Sequence, residues 1–254
     1  MLEVHNLTKC YSSVPAVDNV SFTVRAGEVL GYLGPNGSGK STTVKIITGL
    51  LEQTKGTVLF GGRDIRRDLT SFKRLVGYVP EEANLYPFLS GIEYLQLVSR
   101  LRGLPEATSR RRAETLLDVF AMTPHRHTVI AAYSKGMRQR ILLTAALLHD
   151  PQLIIFDEPL SGLDVTSALI FRKLVTTLSQ KGKTIFYCSH VLEVVEKVCS
   201  HVTILQRGRQ LAYGSIAELK EFQAMPSLEA AFSSLVQETN AEESAEAIAD
   251  AMVS

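Results

Sequence analysis

The sequence has no tryptophan and only three cysteines, Cys10, Cys188 and Cys199, an odd number with no close spacing. Such a set does not make a disulfide framework and fits reduced thiols in a cytosolic protein. No apolar run reaches 18 residues, so no segment is built to span a bilayer. The start, MLEVHNLTKCYSS, lacks the basic segment and apolar core of a secretory signal. An excess of one charge is also missing. With 27 Lys and Arg against 26 Asp and Glu, the formal net charge is +1, which offers no global basic field for nucleic-acid binding. At 254 residues, roughly three quarters of the unfolded chain's surface can be buried, so a core needs neither disulfide nor structural metal.

What is present alternates between two periods. LEVHNL and VSFTV alternate as strands do, and VLGYL, GTVLFGG, LVGYVP, LIIFD, TIFYCS and HVTILQ are short apolar runs. Apolar residues three and four apart predict helices in GIEYLQLVSRLRG, EATSRRRAETLLDVF and GMRQRILLTAALLH, with further helical stretches at 166–180 and 190–199. Strand–helix alternation implies an α/β fold with a mostly parallel sheet. The all-helical stretch at about 84–149 is expected as a subdomain inserted between strands. Residues 237–254, rich in Ala and Glu, are expected to be a weakly ordered tail.

Gly34-Pro35-Asn36-Gly37-Ser38-Gly39-Lys40-Ser41 follows VLGYL directly and fits G-x-x-x-x-G-K-[ST]. Glycines let successive amides converge on phosphate oxygens at a helix N-terminus, Lys40 reaches the outer phosphates, and Ser41 is placed to ligate Mg²⁺. The strand LIIFD ends at Asp157, where a carboxylate would face that Mg²⁺. Glu158 comes next and suits a general base that polarises water. These features predict a nucleoside triphosphatase.

Four more stretches narrow the class: YSKGMRQR at 133–140, SGLD at 161–164, YCSH ending at His190, and YVPEE containing Glu81. With five motifs in one order, the chain to about residue 236 resembles the ATP-binding subunit of an ABC transporter. The resemblance implies a P-loop NTPase core, an N-terminal antiparallel β subdomain and an inserted helical subdomain, forming one ATPase domain over 1–236. It implies that Tyr11 stacks on adenine, and that Gly34, Pro35, Asn36, Gly37, Ser38, Gly39, Lys40, Ser41 and Thr42 hold the phosphates of ATP. Ser41, Glu81 and Asp157 would face Mg²⁺, Glu158 would be the catalytic base, and His190 would contact the γ-phosphate, with Lys40 completing the catalytic set. Asp164 would link the two sites of a dimer.

The signature departs from the family's usual L-S-G-G-Q. Ser134 and Gly136 remain, while Lys135 replaces a glycine and Met137 an amide, and Glu81 stands where a glutamine is usual. These departures resemble the branch that powers drug, antibiotic or polysaccharide export through a separate membrane protein. The expected partners are therefore a second copy of the chain, a membrane permease that holds the subunit peripherally at the cytoplasmic face of the membrane, and no nucleic acid. The alternative is a soluble ABC-type ATPase acting on nucleic acid or ribosomes; the long inserted coiled coil or second cassette usual in those relatives is missing. Tyr86 and Phe88 fit either a permease groove or simple core packing. Arg110, Arg111 and Arg112 are expected on a solvated face, His125 and His127 in a solvated loop, and Cys188 in the core.

Overall fold

The computed structural model describes residues 1–222 and 225–236; the tail at 237–254 lies outside the described residues. Strands β1 (Leu2–Tyr11), β2 (Val14–Val24), β4 (Lys55–Phe60) and the two-residue β5 (Arg63–Asp64) form an antiparallel sheet in the order β2-β1-β4-β5. The second sheet runs β10 (Arg209–Ser215), β9 (His201–Gln206), β3 (Val29–Leu33), β8 (Thr184–Cys188), β7 (Leu153–Asp157), β6 (Val76–Val79). Its neighbours pair in parallel, except that β10 pairs antiparallel with β9 at the edge. Nine α-helices are described: α1 (Lys40–Ile47), α2 (Leu69–Leu75), α3 (Gly91–Leu101), α4 (Glu106–Val119), α5 (Lys135–Leu147), α6 (Val165–Gln180), α7 (Leu192–Val198), α8 (Ile216–Phe222) and α9 (Leu228–Val236).

The parallel strands are apolar throughout because both of their faces are covered. Along β7, Ile154 and Phe156 pack with the helices α3 to α9, whereas Leu153 and Ile155 pack with the antiparallel sheet, α1 and α2. Two cores thus share one sheet. Helices α3, α4 and α5 all lie between β6 and β7 in the chain, which is the expected helical insert. Its first helix starts on a reciprocal cap: Ser90 Oγ accepts from the Glu93 amide, and the Glu93 carboxylate accepts from the Ser90 amide at 2.8 Å.

Helix α2 and strand β10 were not foreseen. Helix α2 buries only Phe72 and starts on the Asp68 carboxylate, which accepts from Ser71 N, so it has too little apolar periodicity to be seen. Strand β10 is an edge strand that joins the two sheets: its Gln210 accepts from Ser21 N at 3.0 Å, and Tyr213 Oη donates to Thr23 O at 2.8 Å. The Arg run also differs from expectation. Arg110 pairs with Glu106 and Arg111 is exposed, but Arg112 is half-buried and donates to Leu148 O at 3.0 Å, tying α4 to the end of α5.

Helix α5 lies close against β6. A Cβ added at Gly77 would stand 2.3 Å from Ala146 O and 2.8 Å from Pro151 Cγ, so Gly77→Ala must push the insert off the sheet. The expected loss is about 1–3 kcal/mol, measured as a lowered urea midpoint of the purified chain.

Candidate functional site

The site begins where β3 stops. All five of its residues are buried, and the loop 34–39 turns back to start α1. Gly39 caps α1 at φ 104°, a left-handed conformation that favours glycine, and a Cβ there would meet Ala16 O at 2.5 Å. Thr43 Oγ1 donates to Gly39 O at 3.1 Å and accepts from Tyr32 Oη at 3.0 Å, a hydroxyl pair that pins the turn from below. The Lys40 ammonium donates to Gly34 O at 2.6 Å and Pro35 O at 3.0 Å. The first turn of α1 carries no acid, so the amides and the positive helix end stay available to an anion.

This loop forms one wall of a cavity of about 610 Å³. Glu81 after β6, Asp157 and Glu158 at the end of β7, and Ser189 and His190 after β8 share its lining with Gly34, Pro35, Asn36, Gly37, Gly39, Lys40, Ser41 and Thr42. Ser38 is buried beneath the loop and is not part of the lining. Tyr11 is 50% exposed at the end of β1, with Lys9 Nζ 5.6 Å from its ring centre, and it also lies outside the lining.

The acids sit under electrostatic stress. Burial pushes the Asp157 carboxyl up to about 6, and the nearby charges of Glu81 and Glu158 add to the rise, while the Cys188 thiol and Lys40 oppose it. Glu158 has a left-handed backbone, φ 47°, held by its amide donating to Cys188 O at 2.9 Å; for a non-glycine residue this costs about 1–2 kcal/mol. Its carboxylate accepts from Ser189 Oγ at 3.2 Å and meets His190 Nδ1 at 2.8 Å. His190 is otherwise open, its side chain 75% exposed against 14% for Glu158. The donors are hard oxygens with one lysine among three carboxylates, which fits a divalent cation bound together with phosphates. Among the described residues there is no cluster of three His, Cys, Asp or Glu that would hold a metal unaided.

Ser134, Lys135, Gly136 and Met137 lie outside this cavity's lining. Ser134 caps α5 by accepting from Met137 N at 3.2 Å. The tip is fastened to the segment after Glu158. A Cβ on Gly136 would meet Gly162 O at 2.6 Å, and one on Gly162 would meet Lys135 Cγ at 2.9 Å. Gln139 Nε2 donates to Pro159 O at 2.9 Å, and Arg140 pairs with Asp164. Asp164 also caps α6, accepting from Ser167 N at 2.8 Å. Tyr86 and Phe88 are 62% and 89% exposed, which excludes core packing for both. Cys188 is buried beside Asp157, and His125 and His127 are exposed.

Five lining residues escaped the sequence reading: Ala16, Leu33, Ser189, Leu192 and Phe232. Ser189 was within reach as the neighbour of His190. Nothing local marks Phe232, which enters the cavity from α9.

Residues 17–161 match the family model described as "ABC transporter". The linearmycin resistance ATP-binding protein LnrL of Bacillus subtilis is 36% identical over 219 residues, covering 86% of this chain and 70% of the relative. The ABC transporter ATP-binding protein NatA of the same organism is 38% identical, covering 82% and 85%. A solved ATP-binding subunit of an ABC transporter superposes with a TM-score of 0.89 at 32% identity, over 92% of this chain and 99% of that one. A dimeric ATP-binding cassette in a post-hydrolysis state, bound to ADP and Pi, superposes at 0.78 with 26% identity, over 85% and 98%.

The raised Asp157 carboxyl has a consequence for stability. Between its ordinary 3.8 and about 6, the folded state holds a proton that the unfolded state has released, so this group lowers stability as pH rises and its full cost is felt above about 6. In nucleotide- and metal-free protein, Asp157→Asn is expected to raise the unfolding free energy near pH 8 by up to about 3 kcal/mol, measured by urea denaturation, and to have little effect near pH 4. Equal effects at both pH values would contradict this cause.

Proposed function

The chain belongs to the ABC transporter family of ATP-binding subunits, and from that premise we propose how its residues divide the work and with what it assembles. It binds and hydrolyses ATP for a transporter. One observation carries the finer reading: the glycine loop, three acids and His190 share a cavity that the Ser134–Gly136 tip of the same chain does not line. A tip placed to cap a triphosphate, yet absent from its own site, fits a second copy of the chain arranged head to tail, with two sites in one symmetric interface.

In that reading residues 1–236, with the insert at about 84–149, form the ATPase unit. Lys40 and the amides from Gly34 to Thr42 hold the phosphates, and Tyr11 stacks on the adenine once the nucleotide is bound. Ser41, Glu81 and Asp157 hold Mg²⁺, which when bound offsets phosphate charge. Glu158 takes a proton from the attacking water, and its contact with His190 keeps the carboxylate aimed while the imidazole meets the γ-phosphate. The Ser134 to Met137 tip, presented at the N-terminus of α5, reaches the partner's γ-phosphate. Loss of that phosphate removes the group gripped from both sides, and the dimer opens. Asp164, held by Arg140, links the two sites across the dimer.

No helix among the described residues is long and apolar enough to cross a membrane. In the proposed assembly the transport path lies in a separate permease, with this subunit at the cytoplasmic face and the exposed Tyr86 and Phe88 toward the permease. Export is favoured by the Lys135, Met137 and Glu81 departures and by the likeness to a resistance protein.

Glu158→Gln is expected to keep ATP binding, to lower turnover by about 10² to 10⁴, and to accumulate as an ATP-bound dimer in size-exclusion chromatography. Near wild-type turnover would remove Glu158 as the base. Specific activity of the native chain should also fall on dilution, since half of each site comes from the second copy; a constant value in strongly dilute protein would exclude the shared site.

A further inference from the structure

Two apolar side chains complete the lining of the nucleotide cavity: Leu192, the first residue of α7, and Phe232 of α9. Helix α7 follows His190 by two residues. It has seven residues, and Val191 at its start offers no side-chain cap; Val191 N donates to Ser189 Oγ at 3.1 Å, and beyond that bond packing sets where the first turn sits. The imidazole itself is weakly held, mostly exposed and bonded to Glu158.

Helix α9, in contrast, is firmly anchored. Leu228, Ala231 and Val236 are fully buried. Glu196 of α7 accepts from Lys220 Nζ of α8 at 2.7 Å and from Leu228 N at 3.2 Å, and the Gln206 amide of β9 donates to Val236 O. Phe232 stands one turn beyond Leu228, half-buried, and packs on the helical core together with Leu192. An anchored helix therefore brings one ring to the lining that Leu192 shares, beside a turn whose side-chain bonds are those of Ser189 and His190 to Glu158 and of Ser189 to the Val191 amide.

We propose that Phe232 is a positioning residue for ATP hydrolysis: it backs the turn from His190 to Leu192, so that α9 sets the imidazole against Glu158. The inference rests on the roles given above to Glu158 and His190. Removing the ring leaves space into which the turn can shift, and a displacement of about 1 Å at a reacting group costs up to about 10²-fold in rate. The phosphate cradle is built by β3, β2 and α1, so nucleotide affinity should be largely kept.

The test uses the full chain with F232A, F232L, H190A and the double variant F232A/H190A, each assayed for kcat and KM well below its melting temperature. F232A is expected to lower kcat by about tenfold or more while KM for ATP stays within about twofold, and F232L to recover most of the rate. In the H190A background F232A should add less than about a twofold loss, because both changes disable one device. An additive loss, an unchanged kcat, or a raised KM with kcat retained would overturn the proposal, the last by making Phe232 a nucleotide contact. H190A at wild-type kcat would remove the assigned role of His190 and this proposal with it. An impaired H190A beside an unimpaired F232A removes the proposal alone.

Discussion

The parallel register of β6, β7, β8 and β3 is the constraint on which the site depends. Asp157 lies opposite Cys188 across β7 and β8, and Cys188 lies opposite Tyr32 across β8 and β3. Because the strands run the same way, their carboxyl ends finish on one side of the sheet, where open α/β folds bind ligands. The glycine loop, the Asp157–Glu158 pair, the Ser189–His190 turn and Glu81 each begin where one of these strands stops. A slip of one residue in any pairing would turn that strand's side chains to the opposite core. The two apolar cores that clamp the sheet therefore also fix the spacing of the groups that line the cavity.

The site is held together against its own preferences. Three acids face one lysine, Asp157 is shifted toward its neutral form, and Glu158 keeps a left-handed backbone. Each of these costs stability in the free protein, and a cation bound among the acids would relieve the charge crowding. Strain of this kind collects where a structure must be ready for charge that comes from outside.

Legibility in the sequence followed how local each feature is. The loop 34–41 and the strand ending at Asp157 were readable because their residues are contiguous and their chemistry is carried by the order itself. Helix α2 was not, since its single buried residue, Phe72, sets no period, nor was β10, an edge strand whose burial is incomplete. Arg112 read as one of three solvated charges, and only the packing of α4 on α5 shows it capping the last carbonyls of that helix. Phe232 is the extreme case. It reaches the cavity through a helix far along the chain, and no spacing rule connects it to residue 34.

A Cβ at Gly136 would meet the Gly162 carbonyl, and one at Gly162 would meet the Lys135 side chain, so neither position has room for a methyl group. One belongs to the tip at the start of α5, the other to the segment that follows Glu158. The segment from Ser134 to Met137 and the turn after β7 therefore pack as a single unit. Grafting either one alone from a relative with a bulkier residue would produce a misfit between the two segments.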